Sequence, residues 1–140
     1  SELNRSNKEL ILKQLPYKKG DSYSTKKLDL SRKRLFNSDL LNPITFRILA
    51  KREDNNTYKI SINAEDSGIF MIHPWEFAIR KTAGLFGEKF EQKLRNPHGN
   101  GLSYLFAIDW SQDSYQQYGL EYVGEKGRIY GFNYRDFDRD

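Results

Sequence analysis

The chain has 140 residues, with 37% hydrophobic, 30% charged and no cysteine, a length that suits one domain built on one core. The lack of thiols excludes disulfides, thiol catalysis and thiolate metal sites, and no run approaches the roughly 20 apolar residues of a membrane span. Its net charge of +4 hides an asymmetry: residues 1–52 carry 13 Lys/Arg against 5 Asp/Glu, a net of +8, and residues 53–140 carry 10 against 14, a net of −4.

A basic N-terminal third on an acidic remainder points to a polyanionic partner, with a merely solvated arm as the plain alternative. The modest apolar fraction includes 9 Phe, 9 Tyr and 2 Trp, whose large side chains build a core from few residues. The first ten residues, SELNRSNKEL, hold no apolar signal-peptide centre. A chain that opens on serine leaves any removed leader out of view. The composition fits a cytoplasmic protein and does not exclude a secreted one.

Residues 6–15 (SNKELILKQL) open with Ser6 and Glu9 at capping-box spacing, and Leu10, Ile11 and Leu15 then share a side. A short amphipathic helix is predicted, ended by Pro16. Residues 17–27 (YKKGDSYSTKK) are polar, basic and turn-rich, so they read as a loop. The apolar alternations in KLDLSRKRLF predict an edge strand guarded by Arg32, Lys33 and Arg34.

Strict alternation in TFRILAKR and YKISIN, on either side of EDNN, predicts a β-hairpin. Phe46, Ile48, Ala50, Tyr58, Ile60 and Ile62 would face the core. Arg47, Lys51, Lys59, Ser61 and Asn63 would form a basic open face. The NNT triplet at 55–57 matches a glycosylation acceptor, but a tight turn accounts for it better. After the turn AEDSG, IFMI (69–72) reads as a third, more buried strand.

Pro74 suits a first helical position, and Ile79, Ala83, Phe86, Phe90 and Leu94 fall at helical steps. A central broken helix, either one kinked helix or two helices joined at GLFG, is therefore predicted and is stopped at NPHGNG. LSYLFAIDW reads as a strand, SQDSYQQYG as a loop or helical turn, and LEYV and RIYGFNY as two strands across GEKG, with Gly127 at the hinge. Phe106, Ile108, Trp110 and Phe132 are expected in the core.

Together these elements predict an α+β fold: a twisted antiparallel sheet of about six strands on a central broken helix, with a short N-terminal helix. Residues 1–140 form a single domain, 1–27 a basic helix and arm with freedom to move, and 135–140 a polar C-terminal tail. A twisted antiparallel sheet followed by a helix resembles, as architecture alone, the Whirly and PUR-repeat single-strand binders; no motif residues match them.

No motif spells out a reaction. Neither histidine has a helical i, i+4 partner, Asp136, Asp138 and Asp140 lack the glycine turn of a calcium loop, and GNG lacks the lysine of a phosphate loop. No metal site and no cofactor are expected. Glu91 and Lys93 have the E-x-K spacing of a metal-dependent nuclease core, but that core needs a strand and these two fall in helical periodicity.

The leading expectation is a non-enzymatic nucleic-acid-binding protein that prefers single-stranded DNA or RNA. Single strands are held by cations along the backbone and by aromatic rings on which bases stack. Lys18, Lys19, Lys26, Lys27, Arg32, Lys33, Arg34, Arg47, Lys51 and Lys59 supply the charge, and Tyr17 and Tyr23 the rings. A metal-independent ribonuclease of toxin type is the first alternative, with His73, His98, Glu76, Arg80 and Tyr104 as candidate acid–base and cationic groups. An inhibitor or adaptor of phage or immunity type, bound to an acidic protein partner, is the second. A homo-oligomer is compatible with all three, and a membrane partner with none.

Overall fold

The computed structural model describes residues 3, 6, 8–53, 57–82, 89–111 and 114–137. The first helix, α1, spans Lys8–Lys13 and buries Leu10 and Ile11. It closes with the Gln14 amide donating to Ile11 O and that of Leu15 to Leu12 O, before Pro16 removes the next donor.

The second helix, α2, spans Thr25–Asn37 and corrects the edge strand expected there. Leu28, Ser31 and Leu35 are buried at steps of three and four, the stripe of a helix. Ser24 caps the helix, its side chain accepting from the Lys27 amide. The local alternation of Leu28 with Leu30 mimicked a strand, and the longer period overrides it.

The predicted hairpin is present. Strand β1 (Arg47–Arg52) pairs antiparallel with β2 (Tyr58–Asn63), Ile48 opposite Ile62 and Lys51 opposite Lys59. The Glu53 amide closes it by donating to Thr57 O at 2.8 Å; residues 54–56 of the expected turn lie outside the described residues. Ile48, Ala50, Ile60 and Ile62 join the core, and Arg47, Lys51 and Lys59 stay exposed on the other face.

Residues 69–72 are not a strand. Phe70 makes one bridge to Leu94, and Ile69, Phe70 and Met71 are exposed rather than buried. Two backbone bonds flank that bridge, the Met71 amide donating to Lys93 O at 3.0 Å and the Arg95 amide to Ile69 O at 2.7 Å. At Ile72 the Gln92 side chain continues the pairing, donating through Nε2 to Ile72 O and accepting from the Ile72 amide at Oε1.

Helix α3 spans Pro74–Thr82, and the central helix does not continue to Leu94. Lys89–Leu94 is strand β3 instead. Phe90 and Leu94 are four apart, a spacing shared by one helical turn and two strand repeats. Alternation of Lys89, Glu91 and Lys93 with Phe90, Gln92 and Leu94 is the period that prevails. Ala83, Phe86 and the GLFG break lie outside the described residues.

Strands β4 (Leu102–Asp109), β5 (Tyr115–Val123) and β6 (Ile129–Phe137) complete a four-stranded antiparallel sheet in the order β3-β4-β5-β6. β5 takes in Tyr115–Gly119, expected as loop, and β6 extends through Arg135–Phe137. The six strands thus form two antiparallel sheets, of two and four strands, and not one sheet on a central helix. With residues 69–72 outside any strand, no described strand bridges the two.

The core lies among α1, α2 and the hairpin, from Leu10 and Ile11 through Leu28, Leu35, Leu40, Leu41 and Ile48 to Ala64. Val123 is the buried contribution of the larger sheet to it. On that sheet Phe106 and Ile108 are half-buried, while Trp110 and Phe132, also expected in the core, are exposed.

Candidate nucleic-acid interface

The loop between α1 and α2 folds on itself. Tyr17 Oη donates to Ser24 O at 2.6 Å, and the Lys27 ammonium lies 5.5 Å above the Tyr17 ring. Asp21 Oδ2 accepts from Lys27 Nζ at 2.9 Å and from the Lys18 amide at 3.1 Å. These contacts, that with Lys27 foremost, hold the Asp21 carboxyl below its ordinary value.

Tyr23 stacks on Tyr58 of β2, ring centroids 4.2 Å apart and planes 13° from parallel. The loop is thereby laid against the tip end of the hairpin. Between them lies an open depression of about 900 Å³, lined by Tyr17, Lys18, Lys19, Asp21, Tyr23 and Tyr58. A second, of about 490 Å³, is lined by Lys51, Arg52, Glu53 and Thr57. Thr57 lines both.

Of the residues expected to bind nucleic acid, Tyr17, Lys18, Lys19 and Tyr23 share one groove, and Lys51 lines its neighbour. The others are placed elsewhere. Arg47 and Lys59 share the open face of the hairpin with Lys51, and the Arg47 guanidinium donates to Ile44 O and Phe46 O. Lys26 and Lys33 are exposed on α2. Arg32 pairs with Asp29 at 3.0 Å and reaches Ile48 O, tying α2 to β1. Arg34 donates to Gln14 O, and a β-carbon at Gly127 would come within 2.7 Å of its Cγ. Arg34 therefore works as packing.

Tyr58 and Arg52 were missed. They face each other across the hairpin on the side expected to be covered. Strand alternation identifies that side but not where the core stops. Near the end of the hairpin the same face is exposed, Tyr58 lining the first depression and Arg52 the second.

The acid–base candidates fall into separate groups. His73 heads α3, its carbonyl accepting from the Phe77 amide, and its ring contacts Phe70 and Trp75. Glu76 and Arg80 form an ion pair along the helix. His98 meets Tyr104 edge-on at 6.1 Å. No hydrogen bond or ring contact joins the two histidines.

Glu91 and Lys93 do lie on a strand, which removes the ground on which the E-x-K spacing was set aside. Their partners differ, however. Lys93 Nζ is 2.6 Å from Glu121 and 3.2 Å from Asp39, which also binds Arg95 at 2.9 Å, while Glu91 pairs with Lys89. Among the described residues no three His, Asp or Glu side chains group as metal ligands, and no helix is long and apolar enough to cross a membrane. Compared with protein families, curated proteins and solved structures, the chain matches none.

Proposed function

We propose that the protein binds single-stranded nucleic acid along the two depressions that share Thr57, one between the α1–α2 loop and the hairpin tip and one on the hairpin itself. The observation that carries this reading is the lining. Tyr17, Tyr23 and Tyr58 stand beside Lys18 and Lys19, and Lys51 and Arg52 line the adjoining depression. Ring faces for bases and cations for phosphates are the two ingredients of single-strand recognition.

The opposed Lys51 and Lys59 agree with it. Like charges directly across an antiparallel pair oppose folding, and a polyanion lying near them relieves that repulsion. The groove is wide and open, which suits a chain passing through better than an enclosed small molecule. Asp21 lines it too, but its charge is taken up by Lys27.

Fluorescence anisotropy with labelled single-stranded DNA, single-stranded RNA and duplex, over rising salt, tests the proposal. Binding should be strongest for single strands and weaken as salt increases. Lys18→Ala with Lys19→Ala should lower the salt slope by about 1.4, since each single-strand phosphate contact contributes roughly 0.7. No binding of any of the three at low salt, or an unchanged slope in the double variant, would sink it.

A further inference from the structure

Strands β5 and β6 turn a row of large side chains outward on one face. Their register sets Tyr118 opposite Tyr134, Leu120 opposite Phe132 and Tyr122 opposite Tyr130. All six are between 44 and 66% exposed. Across the same sheet Phe77 of α3 packs on Phe90 of β3, rings 4.8 Å apart, but that contact is at the opposite edge.

At half exposure, six side chains of this size present on the order of 600 Å² of mostly apolar surface. That is the upper end of what a monomer leaves open. It also approaches the roughly 800 Å² that one partner contributes to a stable protein interface.

The charges select the occupant. None of the six side chains is charged, so phosphates laid across the centre of this face would find no cation there. At the two ends of the β6 row, strand alternation sets Asp136 in step with Tyr134, and Arg128, extended just before the strand (φ −76°, ψ 132°) with its carbonyl accepting from the Gly124 amide, continues the step of Tyr130. A face with an apolar centre, a cation at one end and an anion at the other is complementary to itself when turned through a two-fold axis. Arg128 then meets Asp136 of a second copy, and the reverse.

We infer that a second copy of this chain docks on this face, the two β5–β6 surfaces packing as a sandwich with the tyrosines between them. The sheets would lie about 10 Å apart. The inference is independent of the nucleic-acid groove, which none of these six residues lines.

Analytical ultracentrifugation of the full chain without nucleic acid tests it. The expected species at micromolar concentration has twice the 16.5 kDa chain mass. Phe132→Asp should weaken self-association by more than about tenfold, as for a central interface aromatic, while circular dichroism stays native. Should that variant misfold, the charge pair decides: Arg128→Asp and Asp136→Arg should each weaken the dimer, and the two together should restore it. A monomer at every concentration, a dimer indifferent to all these changes, or a monomer whose nucleic-acid binding Phe132→Asp abolishes would each overturn it.

Discussion

Gln14 and Gly127 are joined across almost the whole chain. The Gly127 amide donates to Gln14 Oε1 at 2.7 Å, and Gln14 Nε2 donates in turn to Gly124 O at 2.8 Å and Leu10 O at 3.1 Å. The side chain is fully buried. One glutamine thus pins the end of α1 to the turn between β5 and β6, where Gly127 adopts φ +74°. This is the polar counterpart of the apolar contact that Val123 makes with the same core.

Replacing Gln14 by leucine keeps its size and removes both functions of its amide. The Gly127 N–H and the Gly124 carbonyl then lose a buried partner, at about 1–3 kcal/mol for each group left unpaired. A loss of about 2–4 kcal/mol in urea unfolding is expected, with the unfolding slope unchanged. A loss below about 0.5 kcal/mol, the range of ordinary surface changes, would show that the turn is held by other means.

Asn96 is the second polar anchor. Its Oδ1 accepts from the Gly101 amide at 2.7 Å and its Nδ2 donates to Ser6 Oγ at 2.9 Å, at φ +41° and almost without exposure. Asn96→Ala should cost about 3 kcal/mol, from the lost partners and the left-handed backbone together. Asn96→Gly keeps the backbone conformation accessible and should cost less. Equal losses in thermal unfolding would mean that the backbone contributes nothing.

The opposed lysines of the hairpin tie stability to binding with opposite signs. Lys59→Glu converts a repulsive cross-strand pair with Lys51 into an attractive one and should stabilise the fold by about 0.2–1 kcal/mol at low salt. The same change should weaken single-strand binding. A variant both more stable and equally tight would remove Lys59 from the functional surface.

Asp21 gives the pH dependence. Its folded-state pKa is depressed by Lys27 and the Lys18 amide, so the order it lends the loop is complete above the ordinary aspartate range and is lost as pH falls through the depressed value. NMR titration should show the Lys18 amide shift moving below the ordinary value of 3.8. Asp21→Asn should abolish that step. A Lys18 titration that survives the substitution would assign it to another group.

Much of the fold was legible along the chain wherever one period ran without competition. The hairpin, its register-defined faces and the β4 strand follow from uninterrupted alternation, and α1 from a short apolar stripe bounded by proline. Two of the errors fall where two periods coincide. Leu28 and Leu30 satisfied a strand locally while Leu28, Ser31 and Leu35 satisfied a helix, and Phe90 with Leu94 fitted both.

The candidate site was legible in part for a related reason. Composition singled out the basic third and its tyrosines, and Tyr17, Lys18, Lys19 and Tyr23 do share a groove. Tyr58, its other wall, and Arg52, which lines the adjoining depression, could not be read as such, because their exposure depends on where the core ends and not on which face they occupy.

By itself, then, the sequence determined the class of the fold, the polarity of each hairpin face, the uneven distribution of charge and the absence of thiol chemistry, all of which follow from residue type and short-range period. Only the tertiary structure decided that the strands divide into two sheets, that Arg34 packs against a glycine turn instead of facing a ligand, and that Trp110 and Phe132 lie bare. Those outcomes depend on contacts between residues far apart in the chain, and no local pattern specifies which surface another segment will cover.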